Sequence, residues 1–317
     1  MRFLAALLIA MIFSSAARAE DFQSYMKDYE RRAIASGVSA RAVHYALQDV
    51  MLENSIIALD RHQPESTMTL SEYVDKTVRP QRIDRGKANY LKYKSVLTQT
   101  EQQYGVPGPI ILALWGKESD FGGSYGNTET ISSLATMAYE GRRRKFFEQE
   151  LLNAIVLLDY LKIPPSEMRG SWAGAIGQCQ FMPSSYLKYG VDGNQNGRVD
   201  LWHEMPDVFA SMANMLAKNG WKRGQSWGQP VKLSRGIDKK LLGRDKQARD
   251  FHFWEKHGVQ FKKPVPNSVS SAIRIYQPDA GGPSYALYPN FDVLVNWNRS
   301  GYFAVSIGQL ADQLSSN

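Results

Sequence analysis

Residues Ile110–Gly123 read IILALWGKESDFGG. Pro107 and Pro109 precede or open this stretch and Gly122-Gly123 closes it, so the pattern predicts one short helix with proline where no hydrogen bond is lost. Ile111, Leu114, Trp115 and Glu118 fall at i, i+3, i+4 and i+7, which sets the Glu118 carboxyl in line with an apolar stripe. Ionising a carboxyl among apolar groups is costly. The pattern therefore predicts a raised pKa and an acid that keeps its proton near neutrality, as general acid catalysis requires. A structural carboxylate paired with a base, or a residue at a fraying helix end, produces the same pattern. Asp120 falls on nearly the opposite face and is read as a capping or solvated residue.

Upstream, Phe22, Tyr25, Tyr29 and Ala33 recur at helical spacing until Gly37, and Ser39 opens a second helix carrying Val43, Leu47 and Val50. Asn54–Ser71 loses periodicity around Pro64 and is read as a connection. A long helix follows Pro80 to about Tyr104. Downstream, helices are expected at Ile131–Tyr139 and Arg142–Leu161, stopping before Pro164-Pro165. After Trp221 short segments rich in Gly, Lys and aromatics predict strands at Ser270–Tyr276 and Ala286–Tyr288. Val293–Leu314 returns to helix. The expected divisions are 20–100, an N-terminal helical subdomain; 101–221, the core; 222–288, a small β-containing subdomain; and 289–317, a helical segment completing the core. The fold class is mainly α with a minor β part (α+β).

The chain opens with Met1-Arg2, an apolar run from Phe3 to Phe13 and small residues ending Ala17-Arg18-Ala19, the arrangement of a secretory signal peptide cleaved near Ala19. The run is too short to span a bilayer. No cysteine follows the signal to take a lipid; the only one, Cys179, is read as a small buried residue. These features predict a soluble periplasmic protein whose fold rests on its apolar core. The 317 residues allow one large domain with subdomains. Loss of Arg2 and Arg18 takes the formal net charge from +7 to +5, which favours an anionic polymer. Export and the lack of any recognition motif exclude nucleic acid.

In GSWAGAIGQCQFMPSSY, Gly170, Gly174 and Gly177 permit close backbone approach, Trp172 and Phe181 offer faces on which a sugar can stack, and Ser184 can cap a helix. A tightly packed loop without ligand is the alternative. Asp192, Asn194 and Asn196 stand at positions 1, 3 and 5 of an EF-hand-like loop, with Gly197 at 6, the Arg198 carbonyl at 7 and Asp200 at 9. His203 occupies position 12, so the closing glutamate is missing. An Asn/Gly-rich turn held by side-chain-to-backbone bonds is the competing reading. Arg142-Arg143-Arg144-Lys145 is read as a solvated helix start rather than a wall-binding patch.

Three blocks, Tyr104–Gly122 (YGVPGPIILALWGKESDFG), Arg169–Trp202 (RGSWAGAIGQCQFMPSSYLKYGVDGNQNGRVDLW) and Tyr288–Ala311 (YPNFDVLVNWNRSGYFAVSIGQLA), resemble the membrane-bound lytic murein transglycosylase B family and its soluble relatives. The likeness extends more faintly through Thr69–Gly86. It implies a lysozyme-like helical core with a flanking helical subdomain and a small mixed one. It also implies cleavage between N-acetylmuramic acid and N-acetylglucosamine to leave 1,6-anhydro ends. Glu118 falls on the catalytic position, and Ser171 and Gln180 fall on sugar-contacting ones. A Tyr-Asn pair is replaced by Trp297-Asn298, with Tyr302 or Phe303 at the following tyrosine. The resemblance includes a lengthened calcium loop, which Asp207 would close. It implies peptidoglycan strands as partner, with cell-wall synthesis or division enzymes as further candidates, a monomer, and no cofactor for the chemistry beyond a structural calcium. A single acid fits a route in which the sugar's own hydroxyl attacks, whereas most glycosidases use two carboxylates. A water-using muramidase with the same acid and a non-catalytic wall-binding protein are the rival readings.

Overall fold

The computed structural model describes residues 21–61 and 68–315. The expected signal peptide and the break at Pro64 lie outside them. Helix α1 (Phe22–Ala35) starts where Asp21 accepts the Ser24 N–H, and α2 (Ala40–Leu47) where Ser39 accepts that of Ala42. The second helix ends before Val50.

The segment read as a connection holds one short helix, α3 (Asn54–Arg61), and the start of another, α4 (Leu70–Thr77), which runs on past Ser71. A reciprocal box of Thr69 and Glu72 starts α4, satisfying two N–H groups that a helix end leaves open. α3 docks on a later helix through buried Ile56 and the Glu53 N–H, which donates to Thr136 Oγ1 at 3.0 Å. Tertiary packing thus supplies what eight residues of weak pattern lack.

The expected long helix is two, α5 (Pro80–Lys92) and α6 (Lys94–Tyr104), parted at Tyr93. There the backbone leaves the helical region (φ −107°, ψ 18°), and the ring packs edge-on against Trp115 and Phe209. Gly105 caps α6 at φ 73°. Helix α7 (Gly108–Ser119) follows and packs against α5 and α6.

Strand β1 (Thr128–Glu129) leads into α8 (Thr130–Glu140), which packs along α9 (Arg144–Leu161). At the start of α9 the basic run is engaged locally: Arg142 pairs with Asp60, and Arg143 covers the Phe146 ring. β2 (Arg169–Gly170) pairs antiparallel with β1. Then come α10 (Pro183–Tyr189) and α11 (Met205–Lys218). Ser184 does not cap α10. It lies within that helix, and its N–H and hydroxyl both donate to buried Glu150 of α9.

The β part is one antiparallel sheet of order β4-β3-β6-β5, formed by β3 (Gly228–Leu233), β4 (Val259–Phe261), β5 (Arg274–Tyr276) and β6 (Ser284–Leu287). A short helix α12 (Phe251–Lys256) sits beside it and contacts β4. The two expected strands appear as β5, shortened to its C-terminal half, and β6, which starts two residues earlier and ends one earlier than expected. β3 and β4 were not expected, because the glycine, proline and lysine of β3 mask its alternation and β4 is only three residues long. Trp254, Ile273, Ile275 and Tyr288 form a separate small apolar cluster there.

The C-terminal helical segment is broken at Arg299 (φ 46°) into α13 (Pro289–Asn298) and α14 (Gly301–Ser315). α14 returns across the molecule to pack against α7 and α4. One large cluster of buried apolar residues runs from Phe22 to Leu314, and α7 crosses it. No helix among the described residues is long and apolar enough to cross a membrane.

Candidate active site

α7 is buried on nearly every side, Ile111, Leu112, Ala113 and Leu114 completely. The single stripe read from the sequence is therefore too narrow, since a helix through the middle of a core is apolar all round. What the run does fix is Glu118, in the last turn, at the edge of the core and only partly buried.

Trp297, one residue before the end of α13, donates its indole N–H to Glu118 Oε1 at 2.6 Å. Burial pushes the Glu118 carboxyl up to about 7, with the Trp297 hydrogen bond and then the Lys117 charge pulling the other way. No second carboxylate contributes to that rise. The Lys117 ammonium lies 4.6 Å from the centre of the Tyr73 ring, and burial, then the Arg82 charge, lowers its own pKa. Asp120 is the left-handed C-cap of α7 (φ 50°), and its carboxylate is held by Arg85 and Arg82. It is a cap, as expected.

The end of α7 is tied to the loop after β2 by a buried relay. Trp115 Nε1 donates to Gln178 Oε1 at 2.7 Å, and Gln178 Nε2 donates to the Trp202 carbonyl at 2.6 Å. Beyond the helix a cavity of about 1220 Å³ opens, with walls that include Ser124, Tyr125, Asn127, Tyr160, Arg169 and Trp202. Glu118 is not among its lining residues. The segment joining them is short, however, since the wall begins at Gly122.

Each residue expected in the site has a definite place. Ser171 shapes a turn, its Oγ accepting the Ala175 N–H at 3.0 Å. Gln180 adopts φ 50° and donates to the Tyr125 carbonyl at 2.8 Å, so it braces the cavity wall. Asn298 is exposed beside Trp297. Tyr302 does not reach Glu118; its hydroxyl donates to Asp279 at 2.8 Å and its ring backs Tyr73 at 6.0 Å. Phe181 is buried at 3 % exposure and tilts against Trp297 with centroids 5.5 Å apart, so its face is not open to a sugar. Trp172 is partly buried, packed on the main core. Gly174 (φ 84°) has no room for a side chain, because a Cβ would lie 2.3 Å from Leu134 Cδ2. Close packing explains this glycine without a ligand. Cys179 is fully buried, and burial raises its thiol pKa well above the usual value.

Gln178 and the Lys117–Tyr73 pair are missed in the sequence, and Trp297, noted there only as replacing a tyrosine, is given no contact with Glu118. Gln178 and Gln180 stand two apart in an irregular loop, where spacing cannot tell which points inward. Trp297 reaches Glu118 from 179 positions away.

Residues 21–312 match the family described as "Transglycosylase SLT domain". The chain belongs to this family. A relative, the membrane-bound lytic murein transglycosylase B of Escherichia coli (strain K12), is 28 % identical over 244 residues, covering 77 % of this chain and 66 % of that protein. The fold is similar to SltB3 of Pseudomonas aeruginosa solved with NAG-NAM-pentapeptide (TM-score 0.89, 33 % identity, 94 % of this chain and 80 % of that one). SltB3 was also solved with NAG-anhNAM-pentapeptide, at TM-score 0.88 with the same identity and coverage. The E. coli lytic transglycosylase Slt35 in complex with calcium matches at TM-score 0.78 and 25 % identity over 92 % of each chain.

In this SLT-family chain the EF-hand-like loop is organised by its own side chains. Asp192 accepts the N–H groups of Asn196 and Gly197, Asn194 that of Asn196, and Asn196 that of Arg198. Buried Asp207 accepts from Gly193 and Asp200, each at 2.8 Å. Glu204, not singled out in the sequence, draws in Arg198 and the amides of Asn194 and Asn196. Among the described residues no group of three or more His, Cys, Asp or Glu side chains is placed to hold a metal. A cation here would draw on two carboxylates, Asp192 and Asp207, together with asparagine and main-chain oxygens, a hard-donor set that suits calcium but brings little negative charge.

Proposed function

We propose that this chain is a periplasmic lytic transglycosylase, cutting the bond from N-acetylmuramic acid to N-acetylglucosamine with Glu118 as its one acid and base. The observation that carries this reading is the Glu118 carboxyl, raised to about 7 by burial at the end of a core helix with no carboxylate partner. Neutral Glu118 protonates the bridging oxygen as the C1–O bond breaks. The muramic C6 hydroxyl then bonds to C1 while the Glu118 carboxylate takes its proton. The product is a 1,6-anhydro end, no water is consumed, and Glu118 returns to its starting state. Binding of NAG-anhNAM-pentapeptide by SltB3 supports this product class. Gln180, which braces Tyr125 of the cavity wall, and Ser171 in the adjoining turn would shape the sugar groove, with Asn298 as a further sugar contact.

Product analysis on purified sacculi tests the reading. Glycan ends that resist borohydride and carry the anhydro mass are expected. Reducible ends would instead identify a water-using muramidase, and no released glycan a wall-binding protein.

The rate is expected to fall with rising pH. The acid must hold its proton, so with a pKa of about 7 the protonated fraction drops about tenfold per unit above that value. A rate that stayed level up to about pH 9 would exclude Glu118 as the acid.

Calcium would be held by side-chain oxygens of Asp192, Asn194, Asn196 and Asp207 and by the Arg198 carbonyl. Bound there it would stiffen the loop whose residues Gly197–Asp200, Trp202 and His203 contribute to the cavity wall. Excess calcium over chelator is expected to raise Tm by about 2–4 °C, equivalent to about 1 kcal/mol. An unchanged midpoint would remove the ion from the proposal.

A further inference from the structure

Glu118 makes one direct hydrogen bond to protein among the described residues, and it goes through Oε1 alone. The neighbouring cation is occupied elsewhere, because the Lys117 ammonium sits over the Tyr73 ring. Oε2 has no protein partner and is not among the buried unpaired atoms, so it is the oxygen open to a ligand. An indole N–H can only donate. In a protonated carboxyl the carbonyl-type oxygen is the better acceptor, so an N–H aimed at Oε1 favours the proton on Oε2.

The indole is itself well fixed. It lies in the last turn of α13, just before the left-handed cap at Arg299, and tilts against buried Phe181. The short contact is therefore held from both the backbone and the ring side.

We propose that Trp297 is a positioning residue that assigns the two oxygens of Glu118 different tasks: Oε1 receives the indole N–H, and Oε2 carries the proton to the bridging oxygen and later recovers one. The inference rests on Glu118 being the acid. After transfer the same N–H faces a carboxylate, so the contact strengthens as charge develops, which lowers the barrier rather than merely fixing the side chain. A hydroxyl at this position would hold Oε1 less strictly, since it can accept as well as donate.

The test replaces Trp297 in the full chain with β-(3-benzothienyl)alanine, which keeps the ring shape but has no N–H, and separately with Phe and with Tyr. The Glu118 carboxyl is followed by carbon NMR, assigned through Glu118→Gln, alongside glycan release over the same pH range. Loss of a bond to the charged form raises a pKa. The benzothienyl and Phe variants should therefore titrate about one pH unit higher, with the alkaline limb of release moving up equally. Their maximal rate should fall about tenfold. Trp297→Tyr should recover part of both.

An unmoved Glu118 titration in the folded benzothienyl variant would overturn the proposal, as would a titration that moved without the alkaline limb following. The NMR measurement needs no turnover. A shifted titration in a chain that released no glycan would therefore remove the reading of function while leaving the Trp297 bond as described.

Discussion

Glu118→Gln is expected to reduce glycan release from sacculi by at least about a thousandfold while leaving binding to sacculi intact, because positioned acid–base groups contribute on the order of 10²–10⁴ and here one group serves both steps. Glutamine keeps the shape and the oxygen that accepts the Trp297 N–H, so the groove is preserved and only the exchangeable acidic proton is lost. The same variant should be the more stable protein above neutral pH. The wild-type carboxyl has a folded pKa of about 7 against an ordinary 4.5, so the folded state binds the extra proton between those values. The contribution of Glu118 to wild-type stability is consequently greatest below about pH 4.5 and declines as pH rises to about 7, while an amide does not titrate. The Tm gap in favour of Glu118→Gln should open across that window and then stay level. Release at the wild-type rate, or a gap independent of pH, would show that residue 118 is neither the acid nor a costly buried carboxyl.

Gln178→Met is expected to be the most damaging change outside Glu118. Methionine fills a similar volume, but two buried groups lose their partner: the Trp115 N–H, one turn before Glu118, and the Trp202 carbonyl in the loop at the cavity wall. Stranding two polar groups costs about 2–4 kcal/mol, which for a chain of this size lowers Tm by roughly 5–10 °C. Activity should fall as well, since the relay joins the helix that carries Glu118 to the cavity wall. Pairing it with Trp115→Phe, which removes one stranded group, should recover part of the loss in a double-mutant cycle. Purely additive effects would show that the relay holds nothing.

Features carried by local pattern could be read directly. The Ser39 start of α2, the proline-led helix carrying Glu118 and Cys179 as a buried small residue were all legible, because each depends on a few neighbouring residues; the end of that helix was read at Gly122-Gly123 and falls at Ser119. α3 and α4 were hidden among polar residues, although the Thr69–Glu72 box offered a start signal. β3 and β4 were missed because their burial depends on the sheet partners and not on their own alternation.

For the site, sequence alone determined that an acidic residue ends a strongly apolar helix and that a separate glycine-rich loop can bring its backbone close to a neighbour, since composition and spacing bear on a single helix and a single turn. Tertiary structure decided the rest. It brought Trp297 onto Glu118, turned Gln178 rather than Gln180 toward Trp115, sent Tyr302 to Asp279 and buried the Phe181 face. Those outcomes depend on how separate helices cross in one core, and no spacing along a chain encodes which side chains meet there.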